Sequence, residues 1–129
     1  MESNTLLTFH ASAAMARYTC SFAVAISLEE LQSSLGELLR GCHFDVIYNT
    51  GDYLMARETP GEVSFAKLVT VEALIDRTKA TADNVQVNLV IKNEELPLQV
   101  DNHCRLVSDR VQNAISAHER WQLLERVAT

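Results

Sequence analysis

Two long runs of alternating polarity constrain this chain more than any other feature. Val63, Phe65, Val69, Val71, Ala73 and Ile75 share one parity, with Ser64, Thr70 and Glu72 on the other. After a polar turn from Asp76 to Asn84, the pattern resumes with Val85, Val87, Leu89 and Ile91, opposed by Gln86, Asn88 and Lys92. Successive side chains of a strand point to opposite faces of its sheet, so each run offers one apolar and one polar face. Two such runs joined by one turn predict antiparallel neighbours in a sheet covered on one side.

The flanking segments supply more strands and two helices. Residues 5–26 read as extended, because Tyr18, Cys20, Phe22, Val24 and Ile26 alternate with Thr19, Ser21, Ala23 and Ala25. Residues 1–17 read either as an extra strand or as a loose N-terminal segment. Ser27-Leu28-Glu29-Glu30 is a capping box, and Leu28, Leu31, Leu35, Leu38 and Leu39 follow at helical spacing. Arg40 and Gly41 suit that helix's end, the glycine as a left-handed terminator. Phe44–Tyr48 and Tyr53–Glu58 flank Asn49-Thr50-Gly51-Asp52, the composition of a hairpin turn. A second helix opens at Pro97 or is capped by Asp101 or Asn102. Its apolar stripe passes through Val100, Cys104, Val107, Val111, Ala114 and Ile115 to His118 or Trp121. The two helices are expected over Leu28–Arg40 and roughly Asp101–Ala117, and because no Gly or Pro interrupts residues 117–127 the second can continue toward the end.

The expected order is β-α-β-β-β-β-α: an α+β fold whose antiparallel sheet carries both helices on one face. That is the TATA-binding-protein-like layout, shared by the larger helix-grip folds. A ferredoxin-like fold is the runner-up, but it needs a strand after the second helix, and the tail does not read as one. At 129 residues the chain reads as one domain over 1–129.

Composition narrows the function. With 47% apolar residues, 4 Gly and 2 Pro, disordered, collagen-like and low-complexity classes are excluded. A formal charge of −6 argues against nucleic acid and anionic lipid as partners. No apolar run reaches the ~20 residues of a membrane span, and no basic segment precedes the apolar stretch at Tyr18–Ile26. A cytoplasmic protein is expected. Cys20, Cys42 and Cys104 are odd in number and widely spaced, which suits buried free thiols. Neither a glycine-rich phosphate loop nor a metal-ligand spacing is found, so no cofactor and no metal are expected.

A few residues remain as candidates. Lys67 falls on the apolar parity of the long strand, either as a desolvated nucleophile or anion partner, or simply with its stem packed and its head in water. Arg57 and His103 join it as candidates to line a ligand groove between the sheet and the second helix. His103 and Cys104 are neighbours, and helical neighbours point ~100° apart, so alone they make no nucleophile–base pair. The plainer reading has Asn102 capping, His103 solvated and Cys104 in the core. Lys92-Asn93-Glu94-Glu95-Leu96-Pro97-Leu98 reads as a solvated connection. The uncovered face would carry Leu68, Thr70, Leu74, Asn88 and Val90, too apolar for a purely wet surface. It reads as an interface, most simply with a second copy of the chain.

At Lys67–Ile75 and over Val90–Cys104 the chain resembles small conserved cyanobacterial proteins of unassigned function, a similarity spanning about residues 20–116. It implies an accessory role in a photosynthetic cell and no reaction. The expected function is therefore a non-enzymatic protein-binding module: an adaptor, chaperone or assembly factor. A helix-grip carrier of a small apolar or anionic ligand is the alternative. A small enzyme using Lys67 or His103 is the third.

Overall fold

Both alternating runs lie in a six-stranded antiparallel sheet, seen in a computed structural model that describes residues 15–96, 102–118 and 120–128. In chain order the strands are β1 (Arg17–Val24), β2 (Phe44–Asn49), β3 (Tyr53–Glu58), β4 (Thr70–Thr81), β5 (Asn84–Lys92) and β6 (Leu123–Ala128). Helix α1 (Leu28–Gly41) follows β1, and α2 (His103–Ala117) lies between β5 and β6. Across the sheet the order is β2-β3-β4-β5-β1-β6, so β2 to β5 form a meander closed by β1. The fold is α+β.

Register explains the sidedness. Ala73 faces Leu89 and Leu89 faces Cys20, while Val71 pairs with both Ala56 and Ile91, so one parity from four strands points the same way. Those residues join Leu31, Leu35 and Leu39 of α1 and Cys104, Val107, Val111 and Ile115 of α2 in one buried cluster. Helix α1 packs on β2 and β4, and α2 packs on β1 and β5. The caps follow the sequence. Ser27 Oγ accepts the Glu30 amide at 3.2 Å and Asn102 Oδ1 accepts the Arg105 amide at 3.1 Å.

Several expectations change. The long strand starts at Thr70, and Phe65–Lys67 is instead a single 3-10 turn. Leu68 ends that turn, buried, and so does not lie on the strand's outer face as expected. Lys67, half-buried, sits in the same turn and interrupts no strand. The polar turn between β4 and β5 shrinks to Ala82-Asp83, with the register slipping between Asp76 and Thr81. Gly41 remains helical, and the left-handed residue is His43, at φ 70°.

The largest change is at the C-terminal end. Helix α2 stops at Ala117 and the chain returns as β6 beside β1. Trp121 causes the reversal. It is fully buried, stacks on Phe22 and His118 with centroids 5.8 and 4.6 Å away, and donates its indole N–H to Ser34 Oγ at 2.8 Å. Gln122 then takes φ 46°, and the Trp121 and Gln122 carbonyls both accept the Ala25 amide. The expected extended stretch before Met15 and a helix start at Pro97 or Asp101 lie outside the described residues.

Sidedness makes a stability test. Leu35→Ala and Leu89→Ala, each about 1% exposed in the wild type, should each cost about 2–5 kcal/mol in urea denaturation. Leu74→Ala, on the opposite face and 54% exposed, should cost under about 1 kcal/mol. Equal losses at Leu74 and Leu89 would mean that both faces are covered.

Candidate functional site

On the inward face of β3, Leu54 and Ala56 enter the core, and the next residue of that parity is Glu58, 3% exposed. A carboxylate there needs partners, because an unpaired buried charge is strongly unfavourable. His103, the first residue of α2, places Nε2 at 2.8 and 2.9 Å from the two Glu58 oxygens. With the hydrogen on Nε2, the ring donates to both carboxylate oxygens. The Val69 amide also donates to Glu58 Oε1, at 3.1 Å.

A second buried carboxylate lies beside the first. Glu95 Oε2 accepts the His103 amide at 3.1 Å and Oε1 accepts the Cys104 amide at 2.8 Å. With Asn102 on the Arg105 amide, the first turn of α2 has its donors satisfied by side chains. Asn93 Nδ2 donates to Glu95 Oε1 at 2.6 Å and to the Lys67 carbonyl at 3.0 Å. Asn102 Nδ2 donates to the Tyr18 hydroxyl at 2.8 Å. Burial alone would raise the Glu95 carboxyl. The bonds from Asn93, Cys104 and His103, with the Lys67 charge, outweigh it and hold the group below the usual carboxylate range.

The thiol of this cluster is held back as a nucleophile. Burial, reinforced by the Glu95 and Glu58 charges, pushes the Cys104 thiol up to about 12. Its Sγ points at the Ile91 carbonyl, 3.7 Å away. His103 is not solvated as expected: its side chain is 12% exposed and its Nε2 is engaged. The Lys92–Leu98 connection is not simply solvated either, since Asn93 and Glu95 are buried. The cluster ties α2 to β3, β5 and the 3-10 turn. Among the described residues no three His, Cys, Asp or Glu side chains converge to hold a metal ion. No described helix is long and apolar enough to cross a membrane.

The opposite face presents different groups. Arg57 follows Ala56 and precedes Glu58, so it points outward. Asp45 pairs in register with Arg57, Arg57 with Thr70, Thr70 with Lys92, and Lys92 with Arg17, a rung crossing five strands. At ~4.8 Å per step the rung spans roughly 19 Å. Beside it lies a cavity of about 430 Å³ bounded by Arg57, Thr70, Lys92, Leu68, Phe65 and Met15. Glu72, in the next rung, takes the Lys92 ammonium at 2.7 Å and the Tyr53 hydroxyl at 2.7 Å. The Lys92 bond, then the Tyr53 bond, holds its carboxyl below the usual range. Ser21 donates to Asn88 at 2.6 Å.

Of the expected interface residues, Thr70, Leu74, Asn88 and Val90 share this outer face, and Leu68 reaches it only as a cavity wall. Of the expected groove residues, Lys67 and His103 lie on either side of Glu95, which feels the Lys67 charge and accepts the His103 amide. Arg57 lines the outer cavity, His103 lies on the helix side, and Lys67 sits in the turn. Sequence reading missed Glu58, Asn93 and Glu95 as buried groups. The inward parity of Leu54-Ala56-Glu58 was the available signal for the first. Compared with known proteins, the chain matches no family model, and no curated protein sequence is significantly similar to it.

Two measurements test the cluster. Glu95→Gln should cost about 2 kcal/mol at neutral pH, the scale of charge-assisted bonds. Folding lowers this carboxyl, so its contribution is complete above the unfolded value of about 4.3 and is lost as pH falls through the folded one. The gap between wild type and variant should therefore narrow in acid. A gap independent of pH would show that the carboxylate charge is irrelevant. Separately, iodoacetamide at pH 8 should leave Cys20, Cys42 and Cys104 unmodified in the native protein and label all three in guanidinium, since each is buried. Rapid native labelling of Cys104 would reopen nucleophilic chemistry.

Proposed function

We propose that this protein is a non-enzymatic protein-binding module that meets another chain with the outer face of its sheet. One observation carries the reading: the inner acid–base groups are engaged with one another, while the Arg57 guanidinium on the outer face, with Asp45 across from it on β2, makes no hydrogen bond or ion pair among the described residues. Groups committed to each other hold a fold together, and an uncommitted one is available for recognition. Apolar area adjoins it. Leu74 and Tyr48 are more than half exposed, with Met55 and Val90 half-buried between polar neighbours. Such a mixture suits a non-obligate interface.

We read the architecture as helix-grip-like, with β1 closing the β2–β5 meander and α2 packed on β1 and β5. A carrier of that type would hold its ligand between the sheet and α2. Val69, Leu89 and Val107 occupy that space, each at most 1% exposed. Their packing favours the docking reading over the carrier. An adaptor, chaperone or assembly factor is the kind of accessory role that the cyanobacterial resemblance implies.

The test uses the outer face directly. Leu74→Glu combined with Val90→Glu should keep the wild-type circular dichroism and thermal midpoint within a few degrees. In affinity capture from source-cell extract and in sedimentation equilibrium, the wild type should hold a stoichiometric partner chain that the double variant loses. A wild type that sediments as a monomer and retains nothing, or a folded variant that keeps the partner, would overturn the proposal.

A further inference from the structure

We infer that β6, led by Trp121, is an exchangeable latch: it leaves its own β1 and closes on the β1 of a second copy, so that two chains trade their last strands. The sequence of β6 does not favour the strand it forms. Of Leu123-Leu124-Glu125-Arg126-Val127-Ala128 only Val127 is β-branched, and the others include good helix formers. The segment follows α2 with neither Gly nor Pro between Ala117 and Leu123, so local preference carries the helix onward. The strand is a product of long-range contact, in conflict with that preference. The reversal itself is strained. Gln122 takes φ 46°, a region that L side chains rarely adopt, and His118 Nδ1 is buried without a hydrogen-bond partner among the described residues. The β1–β6 register also slips between Ala23 and Val24. A short connection under strain invites exchange of the element it holds back.

What the latch leaves behind identifies what replaces it. β6 is an edge strand paired with β1 alone, so its departure bares the backbone groups of β1. It also empties the place where the Trp121 ring lies on Phe22 and its indole reaches Ser34 Oγ. The Arg126 guanidinium leaves the Gln112 carbonyl and the Ser116 hydroxyl, which it holds at 3.4 and 2.7 Å. A generic strand answers the backbone but brings neither the indole nor the guanidinium at the right spacing. The β6 of a second copy brings all three and restores every closed contact. Val127 and Glu125 lie in register with Ser21 and Ala23, so each chain also contributes residues to the other's outer face.

The test joins the two strands across chains. Ser21 and Val127 are register partners, and the native cysteines are buried, so introduced thiols are the reactive ones. A Ser21→Cys chain and an affinity-tagged Val127→Cys chain are mixed, held concentrated just below the thermal midpoint, diluted, and treated with a short bismaleimide. Exchange should link the two different chains in a yield that rises with incubation concentration, while either chain alone stays unlinked. Two glycines inserted after Arg120 relax the reversal and let each chain close on itself, so the yield should fall several-fold. No linked chains at any concentration, a yield unchanged by the insertion, or a concentration-independent gain of helical circular dichroism without dimer overturns the inference. Linking that survives Leu74→Glu with Val90→Glu in both chains supports exchange; linking lost in that background assigns the contact to stacked outer faces and overturns it. Exchange begins with local unfolding and is slow, so partner capture by freshly isolated monomer tests the outer-face reading separately.

Discussion

The position of α2 depends on a buried carboxylate at its first turn. Four amides at a helix N-terminus lack partners within the helix, and here that end is buried, where water cannot supply them. Glu95 takes two and Asn102 takes a third with its side chain, while the Asn102 carbonyl opens the regular helical ladder by accepting the Leu106 amide. A negative charge at the positive end of the helix dipole adds to those bonds. The arrangement also reaches outward. Asn93 links Glu95 to the Lys67 carbonyl, and His103 links α2 to Glu58, which in turn receives the Val69 amide. One helix start therefore fixes the end of β3, the exit of β5 and the turn before β4. Each polar group in such a set is costly if its partner is removed, so the set is cooperative by construction.

Trp121 does the corresponding work at the other end. Its indole reaches across to Ser34 of α1 while its ring lies against Phe22 of β1 and His118 at the end of α2. The helix is held at its start by hydrogen bonds and at its finish by an aromatic stack. Between these anchors Val107, Val111 and Ile115 pack without any described polar interruption but Ser108. The inner layer is thereby closed at both ends, and variable chemistry is left to the outer face.

Legibility in the sequence followed this division. The β4 and β5 alternation, the capping box at Ser27 and the cap at Asn102 are local rules, and each was visible in a few consecutive residues. The 3-10 turn was not. Phe65 shares parity with Val69, but parity fixes a face only while the backbone remains extended, and Phe65–Lys67 does not. The sixth strand was equally hidden, because Trp121 lies at helical spacing from His118, and Leu123–Ala128 contains residues that helices accept. What reverses the chain there is the fit of one ring into a space made by β1 and α1, a long-range fact. Glu58 and Glu95 look solvated one at a time. Their burial follows only when each is placed opposite its partner.

The same placement gives the molecule an uneven charge distribution despite its negative total. Glu29, Glu30 and Glu37 are exposed on α1, on the helix-covered side. On the other, Arg17, Arg57 and Lys92 share a single rung with Asp45, and Glu72 and Glu94 lie beside it. At physiological salt the Debye length is about 8 Å, so the two groups act largely independently at the surface. Net charge governs solubility and repulsion at long range, whereas the rung governs what an approaching surface meets within a few ångströms. What an approaching surface meets on the sheet is a mosaic of opposite charges, Asp45 across from Arg57 and Glu72 against Lys92, and not a field of one sign.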